Sequence, residues 1–221
     1  MPGVAQRYAE IRALLPPVWR SLPRRVLGAA GGLGLAFPAV TRLVPGGADA
    51  GLALALLRSA AVAFALGLAF LLDDPARQIT AVVPVRRTVR TGLRLALVVP
   101  QAALGWGAAL LLVPGKIRPP AADVSLEAAV IAALALVGAM AAVRFTEEPQ
   151  PGPGVAAALL AGTVLAVLLP ERWALFAAVG APGWVAAHQR WAALLVLSLP
   201  AGAALLPEPT ARRLPLVRAH R

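Results

Sequence analysis

Between Val26 and Leu206 the chain alternates long runs of Ala, Leu, Val and Gly with short polar breaks. The longest interior break is the island Asp73 to Arg94, DDPARQITAVVPVRRTVRTGLR. An apolar run of about 20 residues is long enough to cross a bilayer core about 30 Å thick as a helix. Several such runs in one chain constrain the fold more than any single residue does. Composition agrees: 14% of residues are charged, against about 25% in soluble domains. A water-soluble core is excluded, and the expected class is an all-α polytopic membrane protein. The net charge of +11 does not point to nucleic acid, because the arginines sit at the ends of apolar runs and form no stripe on a polar domain.

Six candidate spans follow: Val26 to Val44, Gly51 to Leu72, Leu95 to Val113, Leu126 to Val143, Gly154 to Leu169 and Trp191 to Leu206. Trp173 to Val185 is also apolar, but Gly180, Pro182 and Gly183 interrupt it. It is expected to be a re-entrant or interfacial half-helix before the last span. The domain reading is a leader over 1–25, a six-helix membrane domain over 26–206 and a basic tail over 207–221.

Orientation follows from the basic residues. The leader (Arg7, Arg12, Arg20, Arg24, Arg25), the island, Arg144 and the tail (Arg212, Arg213, Arg218, Arg221) fall on one side. Arg42, Lys116, Arg118, Arg172, Arg190 and the in-span Arg58 are the remainder. Positive charge favours the cytoplasmic side, so both termini are expected there, across an even number of crossings. Arginine outnumbers lysine 20 to 1 in an alanine-rich chain, a bias typical of GC-rich bacterial genomes. The bacterial inner membrane is the expected location.

Within the leader, Val4, Tyr8, Ile11 and Leu15 share a helical face until Pro16 and Pro17. That pattern points to an amphipathic helix lying on the cytoplasmic membrane surface, in preference to a frayed, solvated tail. Trp173, Trp184 and Trp191 would mark the outer interface. Gly28 and Gly32 form a G-x-x-x-G, and Ala61, Ala65 and Ala69 recur at four, both spacings that allow close helix approach.

Little in the chain supports covalent chemistry. Cysteine is absent. Gly115-Lys116 lacks the upstream glycine and following hydroxyl of a phosphate-binding loop, so no ATPase activity is expected here. His188 is read as lying in an outer loop and His220 in the tail, neither at metal-ligand spacing. The acidic residues are all read as lying at span ends or in loops, with no intramembrane carboxylate for a proton relay. No metal and no cofactor are expected in this chain. Arg58 stands inside span two. It either snorkels to the headgroups or lines a cavity for an anionic or lipid-like ligand. With Trp106 it forms the candidate substrate cavity.

In the island, Asp73 or Asp74 can cap a helix with Pro75 at its first position, ending at Pro84. Arg86, Arg87, Arg90 and Arg94 then lead into span three, facing anionic headgroups. A positive-inside loop needs no partner, but it also needs no capped helix.

With this leader, six spans, a short helix after span two and a broken outer segment before span six, the chain resembles a transmembrane subunit of an ABC-2-type ABC transporter. The resemblance is architectural. It implies that a separate subunit binds ATP-Mg, that a second membrane subunit (identical or related) completes the path, and that the spans alternate access by reorienting. It also implies that Asp73, Asp74, Pro75, Arg77, Thr80, Pro84, Arg86, Arg87 and Arg90 form the ATPase-coupling segment. Apolar walls favour export of a hydrophobic or amphipathic cargo. The alternative is a non-transporting scaffold or assembly subunit. A lipid-acting enzyme is disfavoured by the lack of clustered His, Asp or Glu.

Overall fold

The computed structural model describes residue 16 and residues 18–45, 47–73, 87–146 and 148–206. Among these residues the fold is all-helical. It comprises α1 (Arg24–Ala39), α2 (Ala50–Ala69), α3 (Arg87–Leu112), α4 (Ala121–Phe145), α5 (Gly152–Val167) and α6 (Trp184–Leu205). Three segments are long and apolar enough to cross a membrane: Ala50–Ala69, Thr91–Leu112 and Ala121–Phe145. These mark the chain as a membrane protein. The surface agrees, since Leu104, Leu111, Leu165, Leu168, Leu197 and Leu199 all point outward and are exposed.

Helices α2, α4 and α5 carry local signals at their ends. Asp49 caps α2 by accepting a 2.6 Å bond from the Leu52 N–H. Asp123 in the first turn of α4 and Arg144 in its last turn complement the helix dipole. Pro153 sits in the first turn of α5, where its missing N–H costs nothing. Arg42, in the 3₁₀ turn that extends α1, donates to the carbonyls of Leu112 (2.6 Å) and Leu111 (3.2 Å) at the end of α3.

The expected half-helix before the last span is not observed. After α5 the chain makes a 3₁₀ turn at Glu171–Trp173 and then runs without helix to Gly183. Trp184 and Val185 belong to α6. The cause lies in hydrogen bonding. Arg190 donates to the carbonyls of Ala174 and Arg172, and the Trp191 indole to that of Leu175. Carbonyls satisfied by side chains do not need a helix at that depth. Gly180 takes φ +78°, which favours glycine.

Helix α2 is the centre of the packing. It lies against α1, α3, α4 and α5, and over an 18-residue stretch of it 56% of the residues are buried, against 11% over such a stretch of Thr91–Leu112. Ala61, Ala65 and Ala69 are all buried, so that alanine seam is real. The Gly28/Gly32 pair is not part of it. A Cβ at either position would meet nothing within 4 Å. The tight approach is elsewhere: the Phe64 ring lies 2.6 Å from where a Cβ on Gly34 would be and 2.9 Å from one on Gly105. One aromatic ring on α2 thus fills notches in both α1 and α3.

Candidate functional site

Arg58 projects from the middle of α2 toward α4. Its Nε–H donates to Glu127 Oε2 at 2.7 Å and its Nη2 to Glu127 Oε1 at 2.7 Å. This is the two-pronged geometry in which a guanidinium best matches a carboxylate. A second Nη2 bond runs to the Ala177 carbonyl at 2.9 Å. The Phe176 ring centroid lies 5.0 Å from the guanidinium carbon, within cation–π range. The Glu127 side chain is 1% exposed and that of Arg58 18%.

Three readings of the sequence change with the structure. Glu127 is not at a span end. Helix α4 begins at Ala121, which carries Glu127 a full turn and a half into an apolar helix. Nor is His188 in a loop, because α6 begins at Trp184 and encloses it. Arg58 does not snorkel, since its buried partner holds it inward. A carboxylate survives in such a place only when paired and hydrogen-bonded.

His188 completes the cluster. It is buried, and its Nε2 lies 3.2 Å from Glu127 Oε1. The contact is ionic in distance, but it lies off the line of a hydrogen bond, and Nε2 has no hydrogen-bond partner. The other ring nitrogen, Nδ1, is 2.8 Å from the Trp184 carbonyl. Trp184 stacks on the imidazole at 4.3 Å between centroids and donates its indole N–H to Asp123 Oδ2 at 2.7 Å. Asp123 and Glu127 sit one turn apart on α4, so both acids face α6. Among the described residues, no three His, Cys, Asp or Glu side chains gather as a metal site.

Arg58 also forms part of a cavity of about 940 Å³ between α1, α2 and α5. Its walls are apolar: Leu33, Phe37, Val62, Leu66, Phe70 and Leu160 are typical. The volume lies in the range of ligand pockets, about 300–1,000 Å³. A second cavity of about 850 Å³ lies between α4, α5 and α6. Trp106 lines neither cavity. It packs between α3 and α4 with its indole N–H on Ser125 Oγ at 3.0 Å. The expected Arg58–Trp106 pairing is therefore not observed.

At the opposite end of the bundle, Asp73 does cap a helix, but the helix is α5. Its Oδ1 accepts from the Gly152 N–H at 2.8 Å, satisfying one of the donors left open at a helix start. Burial pushes the Asp73 carboxyl above its ordinary value, against the Gly152 bond and the Arg94 charge, which pull it down. Arg94 is buried rather than facing headgroups. Its Nη1 donates to the carbonyls of Leu71 and Asp73 and its Nη2 to Ser21 Oγ. Asp74, Pro75, Arg77, Thr80, Pro84 and Arg86 lie outside the described residues, as does the amphipathic stretch of the leader, residues 4–15. Arg87 and Arg90 open α3.

Compared with protein families, characterised proteins and solved structures, the chain finds no match.

Proposed function

We propose that this chain is the membrane-spanning subunit of an ATP-driven exporter for a hydrophobic or amphipathic substrate. In this reading all six helices span the bacterial inner membrane and both termini face the cytoplasm. ATP hydrolysis belongs to a separate subunit and a second membrane subunit completes the path. The observation that carries the reading is the apolar cavity between α1, α2 and α5 with Arg58 in its wall. An apolar pocket with a few convergent polar groups, here Arg58 with the Ser59 and Thr163 hydroxyls, is the usual form of a site for an amphipathic small molecule. The alternation of basic loops supports the orientation.

The coupling segment narrows in this reading. Asp73 and Arg94 hold the bundle together, so docking of the ATP-binding subunit falls to Asp74 to Arg90. The scaffold alternative draws on the same fact, because it needs no docking residues at all.

One experiment separates them. The chain would be co-expressed with any ATP-binding protein encoded beside it, and ATPase activity measured in reconstituted vesicles. The exporter reading expects a stable complex whose ATPase activity rises with an amphipathic substrate, and loss of that stimulation on Asp74→Lys. A folded chain that binds no ATP-binding protein would favour the scaffold.

A further inference from the structure

The middle of α3 carries a side chain at odds with its surroundings. Gln101 lies near the centre of Thr91–Leu112, one of the segments long and apolar enough to cross a membrane, and it is exposed. Polar side chains elsewhere in the apolar helices have partners. The hydroxyls of Ser59, Thr163 and Ser198 bond carbonyls of their own helices, and Ser125 accepts from the Trp106 indole. Among the described residues the Gln101 carboxamide has no such partner. Hydrocarbon cannot supply one, and an amide left without a hydrogen bond there is costly. Lipid head groups begin about 15 Å away, half the thickness of the bilayer core. The missing partner must therefore come from protein.

The residues around Gln101 are spaced for a second helix. Leu97, Gln101, Leu104, Ala108 and Leu111 recur at alternating steps of four and three, the 3.5-residue period of two helices wound left-handedly on each other. Leu97 is half-buried, and the other four are exposed, Leu104 at 76% and Leu111 at 68%. The three leucines occupy one heptad position, and Gln101 and Ala108 the other. One polar residue in such a seam fixes its register. We infer that this face of α3 is a homodimer interface, where the α3 helices of two copies run in parallel and their Gln101 carboxamides bond each other across a two-fold axis. The choice of a second copy follows from chemistry and symmetry. A carboxamide both donates and accepts, so it is complementary to itself. A two-fold axis along the membrane normal sets identical residues at the same depth. Gln side chains join spanning helices in this way. The inference rests on α3 crossing the membrane and makes the second membrane subunit of the exporter reading an identical copy. It holds equally for a scaffold.

Two measurements test this on the full chain in phosphatidylcholine liposomes. The first is contact. The chain has no cysteine, so single cysteines report neighbours without background. Leu104→Cys and Leu111→Cys should each form an intermolecular disulfide with copper phenanthroline, because seam positions beside a parallel two-fold axis come within disulfide reach. Ala103→Cys, exposed on another side of α3, should not. Crosslinking at Ala103 equal to that at Leu104, or none at either leucine, would overturn the interface.

The second is strength. Copies carrying one fluorophore each would be counted by single-molecule photobleaching as the chain is diluted in the membrane. Gln101→Leu should move the midpoint of dimer formation to a density about threefold to tenfold higher, the scale of hydrogen bonds between spanning helices. Gln101→Asn keeps the carboxamide and should restore most of the affinity. Because Gln101 is exposed, both variants should melt like the parent by circular dichroism, which separates lost pairing from lost folding. A dimer indifferent to Gln101→Leu would overturn the proposal. Single bleaching steps at every density would also overturn it, and would leave the exporter reading standing with a different second subunit. Dimers that form and crosslink at Leu104, in a chain that binds no ATP-binding protein, would support the interface and sink the exporter reading alone.

Discussion

Helices α2 and α5 are both apolar, yet they are held in opposite ways. Every turn of α2 meets a neighbour, from the alanine seam to Phe64 in its two glycine notches, and Arg58 adds a charged bond to α4. Helix α5 has a cavity on each side, and among its residues only Gly152 and Val155 are buried. Its base is tied to the end of α2 by one carboxylate, Asp73. The lesson is that hydropathy does not report packing. Small side chains where helices meet, and polar groups with their partners, decide which apolar helix is fixed.

The contrast can be broken at its strong end first. Glu127→Ala leaves Arg58 buried without its counter-charge and should cost about 3–5 kcal/mol, seen as a loss of folded protein in detergent melts. The neutral pair Arg58→Gln with Glu127→Gln should recover much of that loss. If the single variant melts like the parent, the buried pair is not what joins α2 to α4.

Gly34→Ala comes next. Its new methyl would lie 2.6 Å from the Phe64 ring, an overpacking worth about 1–3 kcal/mol. Phe64→Leu in the same chain should relieve it, and failure of that rescue in thermal melts would show that the notch is not tight. Gly28→Ala, facing open space, should be nearly neutral and is the natural control.

Asp73→Ala removes the tie at the base of α5 and should cost about 1 kcal/mol, the usual value of a helix cap. Hydrogen exchange should rise in the first turn of α5 and not in α2. The pH dependence is the sharper reading. Burial raises the folded carboxyl above its ordinary value of 3.8. Between the unfolded and folded values the native chain therefore holds the extra proton, and stability falls as pH rises through that window. Asp73→Asn keeps an acceptor for Gly152 and should flatten that slope; an unchanged slope would place the titrating group elsewhere. The smallest effect belongs to the free face of α5. Leu165, which is exposed, should tolerate Ala within about 0.5 kcal/mol.

Much of this was legible in the chain. The apolar runs located six helices, the second and fifth to within a few residues, but the third, fourth and sixth begin five to eight residues earlier than the runs do, because polar first turns break the apolar pattern. Asp73 was readable as a cap, since an Asp before a helix start is a local signal, but the helix it serves lies 79 positions onward. The buried cluster was missed at Glu127 and His188 for a related reason. Each stood within a turn or two of a polar break, and boundaries drawn late placed Glu127 at the edge of its helix and left His188 outside its own. Arg58 itself was the available clue. An arginine deep in an apolar run requires a partner, and few acids lie near other runs. Glu127, one turn after Asp123, was the candidate that this demand selects. Trp106 was misplaced because an aromatic ring in a span signals neither core nor cavity. Its Ser125 partner, on another helix, decides that.

The two voids flanking α5 also have a mechanical meaning. A bilayer presses laterally on whatever it surrounds, and the work done is that pressure multiplied by the change in volume. Two large cavities of the described bundle lie against this one helix. In the proposed six-span arrangement, a more tightly packed membrane would press α5 toward α2. An occupant in either void would resist that compression, so filling a pocket would widen the cross-section of the proposed bundle.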